Sequence, residues 1–104
     1  MSWQIEYISK AREDFLSLDH SQQIQVNKAL AKVSQNPLPT SEGGYGKPLG
    51  NYSASKLYGC YKVKLSKLGL RIVYSLVRDK EVMKVIIIAI RDDSAVYRIA
   101  ERRL

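Results

Sequence analysis

Residues 57–90 read LYGCYKVKLSKLGLRIVYSLVRDKEVMKVIIIAI, and the fold turns on this stretch. Three runs rich in β-branched and aromatic residues follow one another with short turns between them. In Leu57–Leu65, the side chains of Tyr61, Val63 and Leu65 fall on one side and those of Lys62 and Lys64 on the other. That is the alternation of a half-buried strand. Ser66–Gly69 turns the chain into Leu70–Val77, and Arg78–Glu81 turns it into Val82–Ile90. The segment Val85-Ile86-Ile87-Ile88 is apolar on both faces, which places the last strand inside a sheet. Strands joined this closely are expected to pair antiparallel. The first turn then sets the register: Lys64 opposite Arg71 and Lys62 opposite Val73, all on one face.

Toward the N-terminus, Trp3–Ile8 alternates apolar and polar residues and predicts a further strand. Ser9 is a candidate cap for a short helix with Ala11, Phe15 and Leu18 along one side. Asp19 followed by Gln22 has the spacing of a capping box. The helix it opens carries Val26, Ala29, Leu30 and Val33 as its apolar stripe and stops at Asn36-Pro37. From Pro37 to Ser55, Gly, Pro and Ser predict a loop, with Gly43-Gly44 expected to be mobile. The loop lacks the Gly-Lys-Ser/Thr ending of a phosphate-binding P-loop. After the last strand, Asp92 or Asp93 is positioned to cap a helix from about Ser94 to Arg103. The order β-α-α-β-β-β-α predicts an α+β fold over a single domain, residues 1–104. It is expected to be a small antiparallel sheet with the N-terminal helix hairpin packed on one face and a short C-terminal helix.

With 104 residues, the chain has room for one hydrophobic core. Its longest apolar runs fall far short of the roughly 20 residues that a membrane helix needs. Glu6, Lys10 and Arg12 interrupt the N-terminal region, so no secretion signal is visible and a cytosolic location is expected. Cys60 is the one cysteine, without a disulfide partner or metal-ligand spacing, and is expected to be a small buried hydrophobe. The net charge is +7, and its placement is uneven. Residues 1–40 are balanced. Lys47, Lys56, Lys62, Lys64, Lys67, Arg71 and Arg78 all lie between Gly43 and Arg78, where there is no acidic residue. A one-signed field of this kind suits a polyanion, most often a nucleic acid.

Like charges opposed across strands destabilise a sheet by a few tenths to about 1 kcal/mol. Lys64 facing Arg71 therefore reads either as an anion site or as a solvated outer face with well-separated cations. The available chemistry is narrow. The single histidine, His20, excludes a ribonuclease that uses two histidines as acid and base, and His20 reads as a surface or cap residue. Asp92-Asp93 reads as a helix N-terminus rather than a metal cluster. No Ser–His–Asp arrangement is available, which leaves lysine, arginine and tyrosine. These suit RNA cleavage by the 2′-hydroxyl, which attacks its own neighbouring phosphate. The protein must orient that attack, neutralise the phosphorane and move two protons. Crowding among cations disfavours protonation of a lysine, which fits one of them for the role of base.

Tyr61-Lys62-Val63-Lys64-Leu65 followed by Gly69-Leu70-Arg71-Ile72-Val73-Tyr74 resembles the central strands of RelE-type toxins, within the RelE/ParE toxin–antitoxin superfamily. Arg91-Asp92-Asp93-Ser94-Ala95-Val96-Tyr97 resembles the family's closing motif. The likeness holds in outline over the whole chain and in detail from about Lys47 to Tyr97. It implies ribosome-dependent cleavage of mRNA without metal or cofactor, by a protein that is a monomer on its own and is silenced by a cognate antitoxin. Carried over, Lys62 and Lys64 serve as base and phosphate stabiliser, and Arg71 holds the phosphate and transition state. Arg91 stabilises the leaving group or acts as acid, and Tyr97 stacks on or orients a base. Lys47, Lys56, Lys67 and Arg78 are expected to contact RNA or the ribosome. The antitoxin is expected to wrap the basic face or to displace the C-terminal helix. The chain departs from the pattern at Ser66 and at Asp92-Asp93, where relatives often carry further basic residues.

Two other readings compete. A ParE-like toxin would share the fold and inhibit DNA gyrase by protein binding, with no need for the lysine–arginine face. A non-catalytic RNA- or ribosome-binding module would bind in a salt-sensitive way without cutting. One geometric point also bears on the site. If the second turn is centred on Asp79-Lys80, regular pairing puts Arg91 on the face opposite Lys62, and a bulge, a different loop or a position past the strand's end is needed to bring it round.

Overall fold

A computed structural model describes residues 2–49, 59–90 and 93–104. Its elements run β1 (Gln4–Tyr7), α1 (Ser9–Leu16), α2 (His20–Val33), a 3-10 turn (Thr40–Glu42), β2 (Lys47–Pro48), β3 (Cys60–Leu65), β4 (Leu70–Val77), β5 (Val82–Ile90) and α3 (Asp93–Arg103). The fold is α+β, and β4 and β5 begin and end where the hydrophobic pattern puts them. The first part of the expected Leu57–Leu65 strand and the capping position Asp92 lie outside the described residues.

The helix boundaries have local causes. The Asp19 carboxylate accepts from the Gln22 backbone N–H at 2.8 Å, and the Gln22 side chain accepts from the Asp19 N–H at 3.0 Å. This reciprocal box satisfies two of the donors that a helix start leaves open. At α1, by contrast, Ser9 is the first helical residue and Ile8 holds the cap position without a side-chain bond.

The strands form one sheet in the order β1-β5-β4-β3-β2. β3, β4 and β5 are antiparallel neighbours, and Lys64 pairs with Arg71 and Lys62 with Val73, as the first turn dictates. Two features go beyond the sequence reading. β1 joins β5 in parallel, so the sheet is mixed rather than wholly antiparallel. Two residues of the expected loop, Lys47 and Pro48, form an edge strand on β3.

The loop before β2 is tied down, contrary to the expected mobility at Gly43-Gly44. Tyr45 N–H donates to Asn36 O, Gly46 N–H to Leu38 O and Gly44 N–H to Pro39 O. The buried Tyr74 hydroxyl donates to the Pro37 carbonyl at 2.8 Å. A Cβ at Gly46 would stand 2.6 Å from that hydroxyl, so only glycine fits there.

Both faces of the sheet are covered. On one face Ala11, Val26, Leu30 and Val33 of the helix hairpin pack against Leu70, Ile72, Tyr74, Met83, Val85 and Ile88. On the other, Val96, Tyr97 and Ala100 of α3 pack against Cys60, Val73, Ile86 and Ile87. Each fully buried Val, Leu or Ile contributes roughly 1.5–3 kcal/mol.

The change of side within β5 marks a β-bulge. Val73 pairs with Ile87 but Tyr74 pairs with Val85, which leaves Ile86 as an extra residue. Met83 and Val85 face the hairpin, Ile86 and Ile87 both face α3, and Ile88 returns to the hairpin side.

Cys60 is buried in the second core, and burial pushes its thiol up to about 11. Below that pH the folded protein holds the protonated form, whereas an unfolded thiol ionises from about pH 8.5. The native protein is expected to resist alkylation at pH 8.5 and to react promptly once unfolded in guanidinium. Rapid labelling of the native protein would contradict this core.

Candidate nucleic-acid interface

The face under α3 carries the basic residues. Reading across the strands, Lys47 on β2 pairs with Lys62 on β3, Lys62 with Val73 on β4, and Val73 with Ile87 on β5. One step along, Lys64 pairs with Arg71 and Arg71 with Ala89. Partners in a ladder share a face, so Lys47, Lys62, Lys64 and Arg71 lie together on one side. The bulge matters here. Without it the even-numbered residues at the end of β5 would sit opposite Arg71 and Val73. With it, Ile87 and Ala89 do. A bulge is one of the three alternatives left open for Arg91, and Arg91 itself lies outside the described residues.

Burial grades the set. Lys64 is exposed, Lys62 is half-buried, and Arg71 retains 6% of its surface. The Lys62 ammonium stands 5.9 Å from the centre of the Tyr97 ring. A cation over an aromatic face is worth about 0.5–1 kcal/mol when exposed and about 2 when desolvated. Tyr97 is only 3% exposed, so its ring meets Lys62 and the α3 core rather than solvent. Stacking on a nucleobase therefore requires α3 to shift.

A groove of about 320 Å³ along β3 is lined by Lys32, Tyr45, Lys47, Lys62 and Lys64, among others. Lys32 comes from α2, and its ammonium stands 5.4 Å from the Tyr45 ring centre. Neither residue was in the sequence-based set, because the first forty residues balance in charge and Tyr45 sat in an apparent loop. A local signal does exist: Lys32 lies one helical turn from Ala29 of the apolar stripe and lines the groove with it.

The remaining cations divide. Lys67 lies exposed in the β3–β4 turn and helps to line a cleft with Lys64. Arg78 is not brought to this face. It follows the far end of β4, roughly 20 Å along the strand from Arg71. There its guanidinium makes a two-pronged bond to the Glu42 carboxylate at 2.9 and 2.8 Å. That bond holds the Glu42 carboxyl below its usual range. Lys56 lies outside the described residues. Among the described residues, no group of three or more His, Cys, Asp or Glu side chains could hold a metal ion, and no helix is long and apolar enough to cross a membrane.

The comparisons with known proteins agree with this arrangement. No family model matches the chain. The mRNA interferase toxin RelE of Escherichia coli strain K12 is 29% identical over 107 residues, spanning 100% of this chain and 99% of that protein. A free-state structure of the Escherichia coli toxin RelE, carrying two arginine-to-alanine substitutions, superposes with a TM-score of 0.79 at 27% identity. It covers 100% of this chain and 99% of that one. Over its whole length the chain is similar to RelE toxins. The same substituted RelE in complex with a peptide of its antitoxin RelB superposes with a TM-score of 0.68 at 26% identity over the same spans. Among the described residues, three helices and a mixed sheet match the arrangement of the free RelE structure.

Opposed cations make this RelE-like face a place where stability is given up for charge. Lys64→Glu, which sets a carboxylate opposite Arg71, is expected to raise unfolding free energy by a few tenths to about 1 kcal/mol in urea titrations. The same change is expected to weaken binding to single-stranded RNA. A loss of stability would show that the two cations are not electrostatically opposed.

Proposed function

We propose that this protein is a toxin of a type II toxin–antitoxin system that cuts mRNA on the ribosome. The observation that carries the reading is the cross-strand set Lys62, Lys64 and Arg71, with Tyr97 against Lys62, in a chain that is RelE-like from end to end. The relatives' names supply the reaction class, mRNA interferase, and the antitoxin partner.

The chemistry follows from the residue types. The 2′-hydroxyl of one nucleotide attacks the adjacent phosphorus, and the bond to the 5′-oxygen of the next breaks. This leaves a 2′,3′-cyclic phosphate and a free 5′-hydroxyl. Lys62 or Lys64 accepts the 2′ proton, and the other cations of the row offset the charge gathering on the phosphorane. Arg71 offers a planar fork of donors, and its burial gives the fork a fixed aim. Arg91 stabilises or protonates the leaving 5′-oxygen, a role it takes from the family pattern. No metal or cofactor is needed for these steps. The ribosome holds the message in line for attack, which a face of this size, open on one side, does not do alone. Lys32, Lys47 and Lys67 extend the basic surface toward the RNA backbone. The antitoxin silences the toxin by covering this face or by taking the place of α3, and the toxin acts in the cytoplasm.

Primer extension on an mRNA undergoing translation in a purified system tests the proposal. Wild type is expected to cut only when ribosomes are present. Lys64→Ala and Arg71→Ala, confirmed as folded by circular dichroism, are expected to cut on the order of 100-fold more slowly or not at all. Absence of cutting by folded wild type would overturn the proposal. Inhibition of gyrase supercoiling by the same preparation would then favour the ParE-like reading.

A further inference from the structure

The bulge in β5 exposes a difficulty that two residues outside the basic face resolve. β1 hydrogen-bonds to β5 only as far as Val85, whose carbonyl accepts from Ile8 N–H at 3.1 Å. Past that point, among the described residues, no strand lies on that side of β5. A bulge also lifts backbone groups out of the ladder, and buried backbone groups need partners. Here the partners are side chains. The Asp14 carboxylate, from the second turn of α1, accepts from the Ile88 backbone N–H at 3.1 Å. The Arg103 guanidinium, from the last turn of α3, donates to the Ile86 carbonyl at 2.9 Å. The two side chains bond to each other at 2.7 and 3.3 Å, and both are largely shielded from water, with 16% and 20% of the side chains exposed.

We propose that Asp14 and Arg103 are positioning residues for the basic face: together they hold the bulged register of β5 and anchor α3 over it. The bulge determines that Ala89, rather than its neighbour, stands opposite Arg71. The same two residues join three elements that are otherwise far apart in sequence: the helix hairpin, the bulged strand and the C-terminal helix that brings Tyr97 to Lys62. Neither side chain lies on the face itself, so neither is expected to touch RNA. The inference rests on the proposed function only for its kinetic consequence. Its structural consequence stands apart from that reading.

An ordinary ion pair and this clamp make different demands. Exchanging the two residues, Asp14→Arg with Arg103→Asp, restores opposite charges. It restores neither backbone bond, since arginine offers no acceptor to Ile88 N–H and aspartate no donor to the Ile86 carbonyl. The set for study is Asp14→Asn, Arg103→Lys and the exchanged double variant, each shown to fold cooperatively. In nitrogen-15 NMR, the Ile88 amide is expected to exchange at least about tenfold faster in the exchanged variant than in wild type. The Tyr97 ring resonances are expected to shift with it. In single-turnover cleavage on ribosomes, the rate constant is expected to fall on the order of 10- to 100-fold with ribosome affinity little changed. Arg103→Lys, which keeps one donor, is expected to recover part of the rate.

An exchanged variant with wild-type Ile88 protection overturns the inference, as does one that cuts at or above the wild-type rate. If wild type itself does not cut, the proposed function fails, and the amide exchange and ring shifts alone decide the positioning role.

Discussion

The fold depends on one irregularity, the bulge at Ile86, and on the ion pair that makes it tolerable. A partly shielded carboxylate and guanidinium are expensive to remove from water, and their mutual attraction often does no more than offset that loss. Asp14 and Arg103 escape the usual balance because each also satisfies a backbone group of β5 beyond the end of its pairing with β1. Removing either side chain would leave both a charge and a backbone group unmet. The bulge in turn decides which β5 residues pack beneath α3 and which face the helix hairpin, so both cores are built around it.

The basic face is the counterpart of that constraint. A protein selected for stability alone would not oppose Lys64 with Arg71 in adjacent strands. The repulsion is borne by a well-filled framework: β4 is buried from Leu70 to Tyr74, and β5 has apolar side chains packed on both sides. Rigid strands hold the cations at set spacings without help from loops, as a site that stabilises developing negative charge needs. Lys62 is steadied further by the Tyr97 ring, which ties the site to the C-terminal helix. A partner that moved α3 would therefore alter both the surroundings of Lys62 and access to the face.

Much of this was legible in the sequence because it is local. The Asp19–Gln22 box, the limits of β4 and β5, and the pairing of Lys64 with Arg71 follow from spacing within a few residues. Less was legible where distant segments meet. The parallel pairing of β1 with β5 joins residues nearly eighty apart, and no short-range pattern encodes it. The position of the bulge was hidden for a different reason: Ile86, Ile87 and Ile88 are apolar whichever face they take, so hydrophobic alternation is silent on their register. For Arg78 and Lys32 the linear charge map misled in opposite directions. Arg78 belongs to the basic stretch but pairs with Glu42 at the other end of the sheet. Lys32 belongs to a neutral stretch but is carried by α2 to the groove beside Lys62.

The most direct test of the account is a ribosome-bound mRNA carrying a single 2′-deoxy nucleotide on the 5′ side of the scissile phosphate. With no 2′-hydroxyl there is no internal nucleophile, and the cations of the face have no attack to assist. The account predicts that cutting at that position stops while ribosome binding persists, and that the all-ribose message yields a 2′,3′-cyclic phosphate end. Cleavage of the deoxy-substituted message at the normal rate would contradict it, because the nucleophile would then have to come from somewhere other than the RNA.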